Sequence, residues 1–233
     1  AEKYIDDLNE KSKKYVEVKD IKSGKIYKES YDKIVLSPGA TPVIPDIKGI
    51  KSEKIFTLRN IPDTYKIKDF VDNNNPKRAI VIGAGFIGLE VAENLHMKGI
   101  NVTIIEMADQ VLSPIDFDMA ANVQQHIKEK NIELYLKDSV ELFEDKRDFI
   151  IAELKSKRRL KADMVVLGIG VRPEIEIAKE AGLEIGKRGG IITDSTMKTS
   201  DENIYAVGDA VEVVDYISGK NTLIPLAGPA NKQ

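Results

Sequence analysis

The spacing of apolar positions changes character along the chain. Over residues 1–36 apolar and polar residues alternate about a turn at Ser23-Gly24-Lys25. Tyr15, Glu17 and Lys19 precede it, Ile26-Tyr27-Lys28 follows, and the apolar run Ile34-Val35-Leu36 comes next. A period of two predicts a small meander feeding a buried strand. Ser37-Pro38-Gly39-Ala40-Thr41-Pro42, with Pro45 beyond it, reads as a breaker-rich loop. Asp72-Asn73-Asn74-Asn75-Pro76 is the most linker-like stretch, so a domain boundary is expected within residues 66–76. Ala79-Ile80-Val81-Ile82 is a short continuous apolar run of the kind buried in parallel sheets. A helix from Phe86 to Lys98, stopped by Gly99, and a strand from Val102 to Glu106 are expected after it. Phe117, Ala120, Val123 and Ile127 share a helical face within Asp116 to Lys130. Strands are expected at Glu133 to Leu136, Phe149 to Leu154 and Met164 to Leu167. The alternation of strand and helix predicts a doubly wound, Rossmann-like α/β unit.

One pattern occurs twice. Asp32 to Pro42 and Asp163 to Pro173 both read D-x-[IV]-V-L-x-x-G-x-x-P, and each copy follows a lysine-rich, hairpin-like stretch. The second copy begins 80 residues after Gly83, the first glycine of a Gly83-x-Gly85-x-x-Gly88 motif. If the copies are duplicated units, the matching glycine of the first falls at position −48, upstream of Ala1.

Composition narrows the classes. Lys and Arg total 35 against 38 Asp and Glu, a net charge of −3, which lacks the basic excess that nucleic acid or anionic lipid would call for. There are no cysteines, which excludes disulfides, zinc-thiolate sites and a thiol nucleophile within these residues. No apolar run is long enough for a membrane span and no signal segment opens the chain, so a cytoplasmic location is the expectation. The chain starts at Ala1 and stops soon after Pro229, which reads as opening a helix; both ends look cut.

The glycine motif leaves an apolar strand, opens a helix, and is followed by an acid, Glu106, at the end of the next strand. That context predicts a dinucleotide site. Gly83 permits the turn, Gly85 admits the pyrophosphate, Gly88 allows close packing, and the helix amino end faces the phosphates. Glu106 suits free ribose hydroxyls and disfavours a 2′-phosphate, and no Arg follows in Met107-Ala108-Asp109, so NAD(H) is preferred to NADP(H). Glu90, read into the first helical turn, either stabilises the helix dipole or contacts the nicotinamide. Phe86 is either core, which its chemistry favours, or a lid. Gly168-Ile169-Gly170 is either a ligand-facing edge or a simple turn. His96 and His126 read as surface residues, and Lys155 to Arg159 as a solvated hairpin turn. No metal site and no catalytic set is nominated.

Together these motifs resemble the pyridine nucleotide-disulfide oxidoreductases, in the branch holding coenzyme A-disulfide reductases and NADH oxidases or peroxidases. Four segments carry the likeness: Tyr31 to Ala40, Val81 to Glu90, Gly168 to Pro173, and Thr199 to Ala210. Pro225 to Gln233 resembles the narrower branch. The resemblance implies FAD as a second cofactor. Gly39 would lie near its adenosine, Asp209 on its ribityl or pyrophosphate with Gly208 and Ala210 offering backbone, and Leu226-Ala227 near the isoalloxazine. It also places Phe86 and Glu90 in the nicotinamide pocket with Gly168, Ile169 and Gly170 as its wall, and adds Ala84 and Ile87 to the NAD(H) contacts. The family's amino-terminal FAD fingerprint, redox cysteine and carboxy-terminal dimerisation domain have no counterpart here. The chain is therefore expected to be an inactive fragment of a homodimeric enzyme: an NAD(H) domain, residues 67–190, inserted in a truncated FAD domain, residues 1–66 and 191–233. The implied activity is hydride transfer from NADH to flavin and onward, through a cysteine, to coenzyme A disulfide or a similar disulfide. An oxidase or peroxidase acting on oxygen or peroxide, a reductase of a small electron-carrier protein, and a non-enzymatic nucleotide-binding module are the alternatives.

Overall fold

In the computed structural model, which describes residues 2–4 and 14–233, an antiparallel meander comes first: β1 (Glu2–Tyr4), β2 (Tyr15–Lys19) and β3 (Ile26–Ser30). Residues 1 and 5–13 of the expected meander lie outside the described residues. The chain continues through β4 (Ile34–Leu36), β5 (Ala40–Pro42), β6 (Ile55–Thr57), α1 (Ile61–Asn74), β7 (Arg78–Ile82) and α2 (Phe86–Met97). Next are β8 (Asn101–Glu106), α3 (Phe117–Glu129), β9 (Glu133–Leu136), and a second meander of β10 (Val140–Asp145), β11 (Ile150–Leu154) and β12 (Arg159–Ala162). Then come β13 (Met164–Leu167), β14 (Val171–Pro173), α4 (Glu176–Glu180), β15 (Ile191–Ile192) and β16 (Ile204–Ala206). A 3₁₀ turn at Gly208–Ala210, β17 (Val211–Val214), β18 (Asn221–Thr222) and α5 (Ala227–Ala230) complete it.

Two compact units result, Ala1–Thr41 with Val171–Gln233, and Pro42–Gly170. In the second, five parallel strands run in the order β6-β13-β7-β8-β9. Successive side chains point to opposite faces. Ala79, Val81, Val102, Ile104, Met164 and Val166 therefore pack with α2 (Val91, Ala92, Leu95) and α3 (Ala120, Ile127), and α1 adds Ile67, Phe70 and Val71. Ile80, Ile105, Val165 and Leu167 pack on the other face against Phe143, Ile150, Ala152 and Leu154 of the second meander. All three helices thus share one face, and a meander covers the face where a doubly wound unit would carry helices. The stretch between β9 and β13 alternates at period two, which yields strands rather than a crossover helix.

One expectation is corrected. The linker-like Asp72-Asn73-Asn74 is the last turn of α1. Asn60 caps its start by accepting from Asp63 N (3.0 Å), and Asn75 ends it in the left-handed region (φ 46°). The Asn cluster is a helix stop. The compact units divide at residues 41/42 and 170/171. The reason is that β6 pairs with β13 in the five-stranded sheet, while Ala178 of α4 packs in the other unit's core. That core gathers Val16, Val18, Leu36, Leu183, Ile191, Ile204, Ala206 and Val211, with β4 and β16 paired in parallel and β5 paired with β14. Pro229 is the third residue of α5, which opens at Ala227. Among the described residues no helix is long and apolar enough to cross a membrane.

Candidate functional site

Three glycines interlock at the carboxyl edge of the five-stranded sheet. After β7 the chain turns through Gly83 at φ 98°, and the Gly83 amide donates to Ile105 O (2.8 Å). A Cβ on Gly83 would lie 2.3 Å from Gly168 O, one on Gly88 2.0 Å from Gly83 O, and one on Gly168 2.9 Å from Gly88 Cα. None of these backbone atoms can yield, so all three positions exclude a side chain. Gly85 differs: nothing lies within 4 Å of its Cβ position. It is also the N-cap of α2 and supplies no side-chain cap, which leaves the first helical amides to whatever approaches over it.

The acid at the end of β8 braces this loop. Glu106 Oε2 accepts from Ala84 N (2.7 Å) and Oε1 from Ala108 N (2.8 Å). Hydrogen bonds to a charged group are worth about 1.5–3 kcal/mol each. The Ala84 carbonyl in turn accepts from Leu112 N (2.9 Å), with Leu112 held at φ 48° and the neighbouring Val111 amide donating to Gln124 Oε1 (3.2 Å). Ala84 is thus buried with both backbone groups engaged, and it fixes the loop shape. Leu112 and Gln124 had no signature in the sequence: a left-handed leucine is not a turn signal, and one glutamine on a helix looks like any other.

Two readings of α2 change. Phe86 is 51% exposed, so it is not core. The helix opens at Phe86 and has no acid in its first turn, so Glu90 sits beyond it and does not serve as an end-stabilising charge. Glu90 is exposed and lines a groove of about 320 Å³ between α1 and α2, with Leu58, Ile67 and Leu95 among its walls. Ile87 is half-buried. Gly168 N donates to Ile82 O (2.7 Å), which ties β13 to the glycine loop, and Gly170 turns at φ 103° with open space over its Cβ. His96 and His126 lie on the last turns of α2 and α3, and no metal-binding cluster is present among the described residues. Lys155 to Arg159 forms the exposed turn into β12, as expected.

The other unit presents a second edge. β4 and β16 run parallel, and each is followed by a left-handed glycine: Gly39 (φ 77°) and Gly208 (φ 80°), both with open space at Cβ. Gly208 N donates to Gln233 Oε1 (2.6 Å), so this amide faces an incoming acceptor oxygen. The Asp209 carboxylate carries no hydrogen bond among the described residues, whereas Ala210 is fully buried. Leu226 is 47% exposed and precedes Ala227, the first residue of α5, which packs against the Gly208–Ala210 turn. Open glycine turns at the carboxyl ends of parallel strands, with uncapped helix amides in one unit and the unpaired Asp209 in the other, fit a dinucleotide in each.

Two parallel-strand edges of this kind define a two-nucleotide fold. The chain belongs to the pyridine nucleotide-disulphide oxidoreductase family, whose model matches residues 2–232 and whose members use FAD and NAD(P)H. It is 41% identical over 213 residues to an NADH oxidase of Methanocaldococcus jannaschii, covering 91% of this chain and 47% of that protein. It is 31% identical over 194 residues to a coenzyme A disulfide reductase of Staphylococcus aureus, covering 83% and 43%. The reduced CoADR-RHD of Bacillus anthracis superposes with a TM-score of 0.93 at 45% identity, over 99% of this chain and 41% of that one. The chain spans less than half the length of these relatives.

Proposed function

We propose that this chain is the nucleotide-handling part of an NADH-dependent flavoenzyme that reduces coenzyme A disulfide or a similar small disulfide through a cysteine outside these residues. Pro42–Gly170 would hold NADH, and the other unit part of FAD. The observation that carries the reading is the Gly83–Gly88–Gly168 interlock with Gly85 left open above an uncapped helix, braced by Glu106. Bound NADH and FAD supply the hydride and the redox centre. The chain's own residues bind and orient: α2's amino end takes the pyrophosphate, Glu106 keeps lone pairs for the ribose hydroxyls, and Phe86 shields the nicotinamide from water. Gly208, Asp209 and Gly39 would hold the flavin nucleotide. A second reading, an oxidase passing electrons to oxygen, is favoured by the name and 41% identity of the archaeal relative.

Glu106→Gln tests the cofactor assignment. The amide removes the charge that repels a 2′-phosphate and weakens the bond to Ala84 N. NADH affinity should fall about tenfold while NADPH gains relative to NADH, measured by fluorescence titration. A wild-type chain that binds NADPH more tightly than NADH contradicts the role given to Glu106. For the acceptor, the full-length protein is assayed for NADH consumption with coenzyme A disulfide under anaerobic conditions. Activity only in the presence of oxygen selects the oxidase.

A further inference from the structure

The amino edge of the five-stranded sheet, at the opposite end of the strands from the glycine loop, carries a cavity of about 700 Å³. Its floor is set by the strand starts. Lys54 precedes β6, Lys77 and Arg78 enter β7, Asn101 opens β8, and Asp163 precedes β13; Arg147 of the β10–β11 turn joins them. Much of this charge is internally matched. Asp163 accepts from Arg78 Nη2 (2.6 Å), Lys77 N (2.8 Å) and Arg78 N (3.0 Å). Lys54 Nζ is paired with Asp145 (2.6 Å). What remains is an excess of donors. The Lys77 ammonium meets only the neutral Asn75 Oδ1 (3.0 Å), and Arg147 makes no hydrogen bond or ion pair among the described residues. Arg78 Nε is buried with no partner at all. Against these stands one unpaired lining carboxylate, Asp148.

Arg78 Nε is closed off from the cavity, so it is the Lys77 and Arg147 cations, neither with a carboxylate partner, that leave the hollow with more donors than acceptors. We propose that this cavity is a second anion site, taking a small organic phosphate, with Lys77 and Arg147 on the phosphoryl oxygens and Asn101 on a neighbouring hydroxyl. Phosphate is the anion whose several oxygens match dispersed Lys and Arg donors. The site is separate from the dinucleotide edge and does not depend on the function proposed above.

The test uses the whole chain, isotopically labelled, with inorganic pyrophosphate as the probe. Pyrophosphate also mimics the centre of a dinucleotide, so the two edges are told apart by residue. Amide shifts at Lys77, Arg78, Asn101 and Arg147 are expected, together with an affinity that drops about tenfold or more in Lys77→Gln/Arg147→Gln. Both substituted side chains are exposed, so an unchanged melting temperature and an unchanged amide spectrum away from the cavity show that the fold is kept in this variant. Shifts confined to Gly83–Gly88, or an affinity unaltered by the double substitution, overturn the proposal. So does the absence of any binding at millimolar pyrophosphate.

Discussion

The two copies of the D-x-[IV]-V-L-x-x-G-x-x-P pattern fold alike and live in different surroundings. Each follows a three-stranded antiparallel meander, enters a parallel strand (β4 or β13), turns through a left-handed glycine (Gly39 or Gly170), and runs into a short strand (β5 or β14). The chain leaves one unit through β5 and returns through β14, and these two strands pair. The neighbours differ. β13 lies between β6 and β7, with all four of its residues buried. β4 has β16 on one side, and Val35 is 58% exposed. Gly168 stands where a Cβ would strike Gly88, and its counterpart Ser37 is exposed and keeps its side chain. The local pattern therefore encodes strand and turn, while the residue one step past the strand answers to what packs across from it.

The largest effect is expected where that contact is tightest. Gly168→Ala sets a methyl 2.9 Å from the Gly88 Cα, against backbone on both sides. Overpacking of this kind costs toward the upper end of about 1–3 kcal/mol. The glycine loop should open with it, because that loop is the displaced neighbour. Ser37→Ala should stay within about 0.5 kcal/mol, as surface changes do. Urea denaturation of both variants checks the pair, and equal losses would break the comparison. A step lower in effect, Val165→Thr places a hydroxyl in the dry layer between the sheet and the second meander. It should cost about 1–3 kcal/mol, against almost nothing for Val35→Thr.

The sequence was readable where burial leaves a mark on the apolar pattern. The expected boundaries of β9 and β13 match the structure, and α2, α3, β7 and β8 match to within a residue, because one-sided burial gives the helices an apolar period and two-sided burial gives the central strands a continuous apolar run. α1 was not legible: none of its residues is fully buried and its last turn is written in Asp and Asn, which serve both caps and linkers. The glycine loop and Glu106 were visible as a motif. Their mutual brace was not, since the Glu106–Ala84 bond and the Gly83–Gly168 contact join residues 22 and 85 apart in the chain. The other unit's edge could be named only through resemblance, because Gly39 and Gly208 are brought to one edge by the pairing of β4 with β16, and no local spacing records that.

The smallest predicted difference lies at the first residue of each copy. Asp163 stitches the start of β13 to the start of β7 by accepting from two backbone amides and from Arg78, whereas the Asp32 carboxylate holds no partner among the described residues. Burial pushes the Asp163 carboxyl up, but the Arg78 side chain, the amides of Lys77 and Arg78 and the Arg78 charge outweigh it, and the net shift is downward. A carboxyl that binds its proton more weakly in the folded state than in the unfolded chain stabilises the fold fully above the ordinary Asp range. That contribution is lost as pH falls through the folded-state value. Asp163→Asn should therefore lower stability by about 1 kcal/mol at neutral pH and flatten part of the acid limb of the stability curve, and Asp32→Asn should do neither. Melting temperatures of the three proteins from neutral to acid pH decide it. Parallel acid limbs in wild type and Asp163→Asn would mean that the strand start is held by the backbone alone, and that the two copies differ only in what covers them.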